Sequence, residues 1–214
     1  MLNANVLLVC IFGSWLLSVI FYYLLIKWRG DRLPPGSIMR ESLDDVDHNP
    51  GTSWSKLGIL IAMTGNRLTV ISIILVSLLN LWTNIPRFFF IPFPIWLNWI
   101  GLLGIWFHYA WGIAVLYYNV NYVPAYKSMP TTYVLATGGP YRIIRHPYYV
   151  GDLFYTIFIF LTTGWWLLGV TALGWLALPR QASEEEKALQ ARFGVIYENY
   201  TERTGKFLPR IWKK

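Results

Sequence analysis

Long apolar segments constrain the fold of this chain more than any other feature of its sequence. They run from about residue 5 to 26, 56 to 82, 95 to 118 and 148 to 178. A helix needs about 20 apolar residues to cross a bilayer, and inside the bilayer every backbone polar group must be satisfied within the protein. Segments of this length therefore predict a bundle of transmembrane helices.

The composition agrees with a membrane protein. Of the 214 residues, 55% are hydrophobic and 14% are charged, whereas a soluble domain has about 25% charged residues. The net charge of +7 is better explained by cytoplasmic loops and an anionic lipid surface than by nucleic acid, so no nucleic-acid partner is expected. The single Cys10 and three histidines without metal-ligand spacing predict neither a disulfide framework nor a metal site.

The fold class predicted from these segments is all-α, a multi-pass transmembrane helical bundle of about five spans. Asn66 and Arg67 interrupt the second segment, which leaves two alternatives: a short interfacial helix followed by a span, or one tilted span. The last segment is too long for a single crossing and has a polar break at residues 162–164. It therefore predicts a hairpin of two short helices.

The charge distribution predicts the orientation of the bundle. Basic residues concentrate in the loop after the first segment, in the loop that ends at Arg145 and in the C-terminal tail. The positive-inside rule then places the N-terminus outside and the C-terminus in the cytoplasm. Residues 183–204 predict a cytoplasmic amphipathic helix, with Ser183 as its N-cap and Glu186 completing a capping box.

Two polar clusters bracket the last apolar segment, at residues 139–151 and 184–186. In the first, Arg145 and His146 precede Pro147, a residue that favours the first turn of a helix, and a helix N-terminus suits an anionic ligand group. The alternative is that these are cationic anchors extending to the membrane interface. The glutamates also have a simpler explanation, because acidic residues in a first helical turn favour the helix dipole.

Asp152 is harder to explain without a function. It lies about one turn inside the helix predicted to begin at Pro147, where an unpaired carboxylate costs a few kcal/mol. We therefore expect a partner for Asp152, either Arg145, Arg142 or a cationic ligand.

The order of the motifs is the most specific signal in the chain. It comprises Leu135-Ala-Thr-Gly-Gly-Pro-Tyr141, then Arg145-His-Pro-Tyr-Tyr-Val-Gly151, then Glu185-Glu-Lys-Ala-Leu189 with Phe193-Gly-Val-Ile-Tyr-Glu-Asn-Tyr200, and finally Lys206-Phe-Leu-Pro209. Each motif alone is unspecific, but the ordered set resembles the isoprenylcysteine carboxyl methyltransferase family and its phospholipid N-methyltransferase relatives. The resemblance covers roughly residues 119–212.

The resemblance implies one integral-membrane methyltransferase domain over residues 1–214, with N-terminal spans in 1–118 and a catalytic, cofactor-binding half in 119–214. Its cofactor would be S-adenosyl-L-methionine, with S-adenosyl-L-homocysteine as product. The catalytic residues expected by position and chemistry are Arg145, Glu185, Arg180 and Asp152. The cofactor contacts implied are Tyr133, Val134, Leu135, Ala136, Tyr141, His146, Pro147, Tyr148, Tyr149, Glu185 and Glu186.

Two positions depart from the family pattern. Tyr133 stands where the family usually has histidine, and Gln181 stands where it favours the arginine associated with the substrate carboxylate. Arg180 is adjacent, so a local shift of one residue could restore that arginine. Without such a shift, a carboxylate acceptor loses support.

The expected acceptor is lipidic or lipidated, with isoprenylcysteine-type carboxyl O-methylation ahead of N-methylation of a phospholipid amine. Rival classes are an NADPH-dependent membrane enzyme similar to sterol reductases and a non-enzymatic membrane scaffold. The expected location is a membrane with the active site on its cytoplasmic side, either a prokaryotic plasma membrane or a eukaryotic endoplasmic reticulum. Membrane lipids are the other expected partners.

Overall fold

The computed structural model describes residues 4–41, 50–121 and 132–210 and is mostly helical in those ranges. Its first helix is built from Ala4–Leu7 (α1) and Gly13–Arg29 (α2), which a π-helical segment, Leu8–Phe12, joins. The later helices are Ser53–Leu78 (α3), Ile95–Tyr118 (α4), Pro147–Thr163 (α5), Leu167–Ala172 (α6), Leu178–Phe193 (α7) and Val195–Arg203 (α8). Short 3-10 helices lie at Trp82–Asn84, Arg87–Phe89, Gly139–Arg142 and Leu173–Ala177.

Three of these helices are long and apolar enough to cross a membrane. They span Asn5–Arg29, Ser53–Leu78 and Ile95–Tyr118, with 25, 26 and 24 residues. At a rise of about 1.5 Å per residue, each exceeds the hydrocarbon core of about 30 Å. The second is continuous through Asn66 and Arg67, so the structure supports the single-helix alternative for this segment.

Small residues allow α4 and α5 to approach closely. A Cβ atom on Gly101 would lie 2.6 Å from the backbone nitrogen of Thr162, and one on Gly104 would clash with the ring of Phe158. Asn98 on α4 donates through Nδ2 to the carbonyl oxygen of Leu161 on α5 at 2.9 Å. This combination of small residues and interhelical hydrogen bonds is typical of packing inside membranes.

The structure is mostly helical, as predicted, but it also contains a two-stranded antiparallel sheet that the all-α prediction did not include. Ser37–Glu41 (β1) pairs with Thr132–Ala136 (β2), with Ser37 opposite Ala136 and Glu41 opposite Thr132. Gly36 supports the start of this pairing, since its carbonyl oxygen accepts from the backbone nitrogen of Thr137 at 2.9 Å. Both strands lie in segments interpreted as loops, because neither has the length or the apolar run of a membrane helix.

The last apolar segment is broken where the sequence predicts. Helix α5 ends at Thr163, and Gly164 adopts a left-handed conformation with φ of 68°, which glycine tolerates without a steric penalty. The chain then continues through α6 and the 3-10 turn Leu173–Ala177 directly into α7.

The predicted start of the C-terminal helix at Ser183 is wrong. Helix α7 begins at Leu178, and Ser183 lies inside it, where its hydroxyl donates to the carbonyl oxygen of Pro179 at 2.8 Å. Ser183 is therefore not an N-cap, and Glu186 completes no capping box. Pro179 occupies the first turn, where a missing amide hydrogen does not break the helix. Gly194, with φ of 56°, separates α7 from α8.

The C-terminal helices pack on the sheet. Tyr133 and Leu135 of β2 form a buried apolar cluster with Phe193 of α7 and Tyr197 of α8. This contact holds the polar stretch that follows the hairpin against the segment that precedes α5. It also brings the two polar clusters of the sequence to the same end of the bundle.

Candidate functional site

The segment after α8 runs alongside the Arg-His-Pro turn. The backbone nitrogen of Arg145 donates to the carbonyl oxygen of Gly205 at 2.8 Å, and that of His146 donates to the carbonyl oxygen of Lys206 at 3.2 Å. This short parallel bridge, between Ile144 and Gly205, fixes the turn before α5 against the segment that follows α8. Pro147 then begins α5, as the sequence predicts, and its carbonyl oxygen accepts from the indole of Trp111 at 2.8 Å.

Glu186 joins the two polar clusters. Its Oε1 accepts from Arg145 Nε at 2.7 Å and lies 3.2 Å from His146 Nε2, while its Oε2 lies 3.2 Å from Lys206 Nζ. Burial acts to raise the pKa of Glu186, but hydrogen bonds and positive charge from His146 and Arg145 outweigh it and lower the pKa to about 2. The carboxylate therefore stays ionised throughout the physiological range.

Arg145 holds several parts of the site together. Besides Glu186, its guanidinium donates to the carbonyl oxygen of Thr201 at 3.3 Å and to that of Thr204. These carbonyls lie at the end of α8, where the last turn of a helix lacks internal donors. A cation at this position satisfies them and favours the helix dipole. Arg145 thus connects the start of α5 to both C-terminal helices.

Glu185 has a different environment from its neighbour. It accepts two hydrogen bonds from neutral donors, the Tyr149 hydroxyl at 2.5 Å and Gln181 Nε2 at 2.9 Å. His146 Nδ1 lies 3.8 Å from its second oxygen. Gln181 is itself fixed, because its Oε1 accepts from the hydroxyl of Ser55 on α3 at 2.8 Å. Glu185 is therefore a positioned, mostly buried carboxylate whose negative charge is less compensated than that of Glu186.

Aromatic rings surround this carboxylate. His146 is stacked with Tyr149 at 5.8 Å between ring centroids and lies 5.7 Å from Phe207. Tyr133 lies under the guanidinium of Arg192 at 5.3 Å. Burial and the negative charge of Glu185 raise the pKa of Tyr133 to about 12, with Arg192 acting in the opposite direction. Tyr133 is consequently a neutral hydroxyl group at physiological pH.

The remaining residues of the predicted cofactor set lie beside this core. Ala136 and Tyr141 are buried together against Val115 of α4, and Tyr148 packs on the same cluster. The Tyr141 hydroxyl accepts a hydrogen bond from Asn119 Nδ2 at 3.0 Å. The backbone carbonyl oxygen of Tyr141 accepts one from the Tyr200 hydroxyl at 2.6 Å. Val134 and Leu135 are buried within β2.

Arg180 is not brought into the cluster. It lies exposed on α7, whereas the adjacent Gln181 is fully buried and contacts Glu185. Because α7 is regular through these positions, there is no one-residue shift that would exchange the two side chains. Its predicted role in orienting the acceptor gains no support from this placement.

Asp152 has partners other than the expected arginines. Its Oδ1 lies 3.8 Å from His108 Nε2, and its carbonyl oxygen accepts from Asn66 Nδ2 at 3.2 Å. The positive charge of Arg67 also acts on this carboxylate. The expectation of Arg145 or Arg142 is wrong, because Arg145 is directed to Glu186 and Arg142 is exposed.

The sequence named Gln181 only as a departure from the family pattern and did not predict its contact with Glu185, and it did not predict a role for Arg192. Both have relative exposures of 1% or less. The available signal was helical spacing, since positions 181, 185, 188 and 192 recur every three or four residues and share one face of α7. Lys206 belonged to a motif of the resemblance, but its ion pair with Glu186 depends on the pairing of the tail with residues 143–146.

Compared with protein-family models and with curated proteins, the chain matches none. Within the described ranges, no three histidine, cysteine or acidic side chains are grouped so that they could hold a metal ion. The chemistry of the cluster around Glu185 and Glu186 therefore carries the functional inference.

Proposed function

We propose that this protein is an integral-membrane methyltransferase that uses S-adenosyl-L-methionine and acts on a lipidic or lipidated acceptor. The observation that carries the proposal is the meeting of the Arg-His-Pro turn and the glutamate pair, with Arg145 Nε 2.7 Å from Glu186. These are the motifs on which the resemblance to the methyltransferases rests. The contact between them supports one binding site at this end of the bundle.

The residues around Glu185 fit the chemical groups of this cofactor. A sulfonium carries a positive charge, and Glu185 offers a carboxylate whose hydrogen bonds come from neutral donors. The ring of Tyr149, whose hydroxyl donates to this carboxylate, lies beside it, and aromatic rings favour a cation. The start of α5, with its helix dipole, suits the cofactor's carboxylate.

The protein contributes position and electrostatics, while the cofactor supplies a methyl group activated for transfer by its sulfonium. The Glu185 carboxylate attracts and orients the positively charged sulfonium. Gln181 and Tyr149 keep that carboxylate in one conformation. Arg145 and Glu186 hold the turn against α7, so the walls of the site are fixed before binding. Alignment of the acceptor with a preorganised donor can supply several kcal/mol of the barrier.

The membrane arrangement that we propose has five spans and a cytoplasmic site. The three long helices supply three crossings, and α5 would supply a shorter fourth. The fifth would need both residues 167–177 and the first turns of α7, because residues 167–177 alone are shorter than the hydrocarbon core. Helix α5 has 17 residues, which is about 26 Å at 1.5 Å per residue. The basic C-terminal tail supports a cytoplasmic location for the site. A lipid acceptor would then approach sideways from the bilayer, with its reactive group at the cytoplasmic boundary.

Carboxyl O-methylation of an isoprenylcysteine-type acceptor is the reaction that the resemblance supports best. A phospholipid amine is the second candidate, and two observations favour it. Arg180 is exposed and leaves the family position for an acceptor carboxylate to a neutral Gln181. Asp152 is buried near His108 inside the bundle, where a carboxylate could attract an amine.

The test is incubation of the purified protein with radiolabelled S-adenosylmethionine and either a total lipid extract or a farnesylcysteine analogue. Label in the analogue is the expected result for carboxyl transfer, and label in phospholipid is expected for amine transfer. Asp152→Asn should lower only amine transfer. The proposal is wrong if neither acceptor is labelled and the protein binds NADPH instead.

A further inference from the structure

A histidine and an aspartate face each other inside the bundle, one helical turn from the candidate site. His108 lies on α4 and Asp152 on α5, with His108 Nε2 3.8 Å from Asp152 Oδ1. Asp152 follows Tyr148 by one turn and shares its face of α5. It lies about 4.5 Å along the helix axis from Tyr149, whose hydroxyl donates to Glu185. A ligand of this pair would therefore lie beside the site around Glu185.

The tautomer of His108 follows from its other contact. Its Nδ1 lies 3.0 Å from the backbone carbonyl oxygen of Gly151. A carbonyl oxygen can only accept, so Nδ1 carries the proton and Nε2 of the neutral ring presents a lone pair. Stacking on Tyr155, with 4.0 Å between the ring centroids, holds the ring in this orientation. His108 Nε2 and the Asp152 carboxylate are therefore two hydrogen-bond acceptors that face each other.

Two facing acceptors are stabilised by a donor that reaches both of them. Their separation of 3.8 Å is too long for a direct hydrogen bond, whereas a nitrogen that carries two or more N–H groups can bond to both. The side chains of His108 and Asp152 keep 15% and 12% of their surface accessible, so the packing does not seal the pair. Because a carboxylate inside the bundle favours a cation, an ammonium group has both the charge and the donors that this pair requires.

The neighbouring charge favours the ammonium group of a phospholipid. The positive charge of Arg67 on α3 also acts on Asp152, and Arg67 is exposed. A guanidinium binds phosphate well, so Arg67 can pair with the phosphate of the same headgroup. Asp152 and Arg67 together are complementary to a headgroup that carries one ammonium and one phosphate.

We infer that His108 and Asp152 bind the ammonium group of an aminophospholipid and that His108 Nε2 takes its proton. This role of His108 rests on the proposed methyl transfer, for which it selects an amine acceptor. Loss of the proton frees the lone pair of the nitrogen. The nitrogen then forms a bond to the methyl carbon, the carbon–sulfur bond breaks with its electron pair left on sulfur, and the proton on His108 passes to water.

The binding site is tested without chemistry by native mass spectrometry of the detergent-purified full-length protein. The ligands are phosphatidylethanolamine, its N,N-dimethyl derivative and phosphatidylcholine, whose headgroups differ in the number of N–H groups. We expect retention to fall in that order. Asp152→Asn should lower retention of phosphatidylethanolamine about tenfold, the factor for losing one charged hydrogen bond. Glu198→Gln, which neutralises an exposed carboxylate on α8, should bind like wild type.

Equal retention of the three lipids, or unchanged retention by Asp152→Asn, would overturn the ammonium site. Asp152→Asn keeps the size of the side chain, so it tests the site even if variants of His108 fail to fold. A wild type that shows the lipid preference but methylates no acceptor would overturn the proposed function and leave the ammonium site standing. Methylation of the farnesylcysteine analogue but not of phosphatidylethanolamine would overturn the role of His108 alone.

The proton transfer is tested with radiolabelled S-adenosylmethionine and phosphatidylethanolamine. His108→Ala should lower kcat about 100-fold, within the range of general-base catalysis, while S-adenosylhomocysteine binds as it does to wild type. Added imidazole should restore activity, whereas pyrazole, which has a similar shape and is a much weaker base, should not. Equal restoration by the two compounds would show that His108 only fills space and would overturn its role as the base.

Discussion

Glu185 and Glu186 are neighbours in sequence with separate tasks. Glu186 is held by Arg145, His146 and Lys206 and joins the start of α5 to the C-terminal helices. Glu185 receives its hydrogen bonds from neutral groups, and in the function that we propose its charge attracts the cationic cofactor. Because adjacent residues on a helix point about 100° apart, one pair of glutamates can serve structure and binding at once.

Replacing Glu186 should destabilise the fold in a pH-dependent way. Its folded-state pKa, about 2, lies below the value of about 4.3 expected in an unfolded chain. Its stabilisation is therefore complete above pH of about 4.5 and is lost as the pH falls through about 2. We expect Glu186→Gln to lower the free energy of unfolding by about 1 to 3 kcal/mol at pH 7, measured by denaturant titration in detergent.

The matched control is Glu184→Gln. Glu184 forms an i,i+3 pair with the exposed Lys187, so its replacement should change the free energy of unfolding by less than about 1 kcal/mol. The difference between wild type and Glu186→Gln should shrink between pH 4.5 and 2. A difference that stays constant over that range would contradict the assigned role of Glu186.

Among the helices, close packing of α4 on α5 aligns the start of α5 with the site. Gly101 and Gly104 on α4 leave room for Thr162 and Phe158 on α5. Near the other end of the pair, Trp111 donates to the carbonyl oxygen of Pro147. Side-chain volume on this face of α4 therefore controls where the Arg-His-Pro turn lies.

Enlarging Gly101 should disturb this helix pair. The added Cβ atom of Gly101→Ala would meet the backbone of Thr162 at 2.6 Å, and backbone does not yield as a flexible side chain does. We expect the free energy of unfolding to fall by about 1 to 3 kcal/mol. Gly112→Ala on the same helix has nothing within 4 Å and should change it by less than about 1 kcal/mol. Equal effects of the two variants would exclude close packing as the cause.

Helix positions were more predictable than the start of α7 or the sheet. The length of its apolar segment located α4, and Pro147 located the beginning of α5, because these signals act within one segment. Ser183 predicted the wrong start for α7. The 3-10 turn before α7 continues directly into the helix, so Ser183 lies inside it and cannot act as its N-cap. The pairing of β1 with β2 joins segments about 90 residues apart, and no local pattern in TYVLA specifies its partner.

Over the whole molecule, the two ends of α5 have different surroundings. The polar cluster around Glu185 lies at its start, and a mostly apolar cavity lined by the loop between α3 and α4 lies at its end. The meeting of the two polar clusters could be anticipated from their order around a hairpin. The buried residues that contact this cluster, Gln181 and Arg192, could not be anticipated. Their positions depend on packing against α3 and β2.

The proposed topology places Arg87 and Arg203 on opposite sides of the membrane. In a Cys10→Ser background, Arg87→Cys and Arg203→Cys each introduce one thiol at an exposed position. We expect a membrane-impermeant thiol reagent to label position 87 in intact cells and position 203 only after permeabilisation. Labelling of both from one side would contradict the proposed orientation.

Binding of S-adenosylhomocysteine, measured by calorimetry in detergent, tests the central claim most directly. We expect the wild type to bind, Glu185→Gln to bind at least about tenfold more weakly, and Glu184→Gln to match the wild type. The two substitutions are chemically identical and lie one position apart on α7, so they change the net charge and the intrinsic helix propensity equally. The claim that Glu185 holds the cationic cofactor would be contradicted by a wild type that does not bind. It would also be contradicted by a Glu185→Gln protein that binds as tightly as Glu184→Gln.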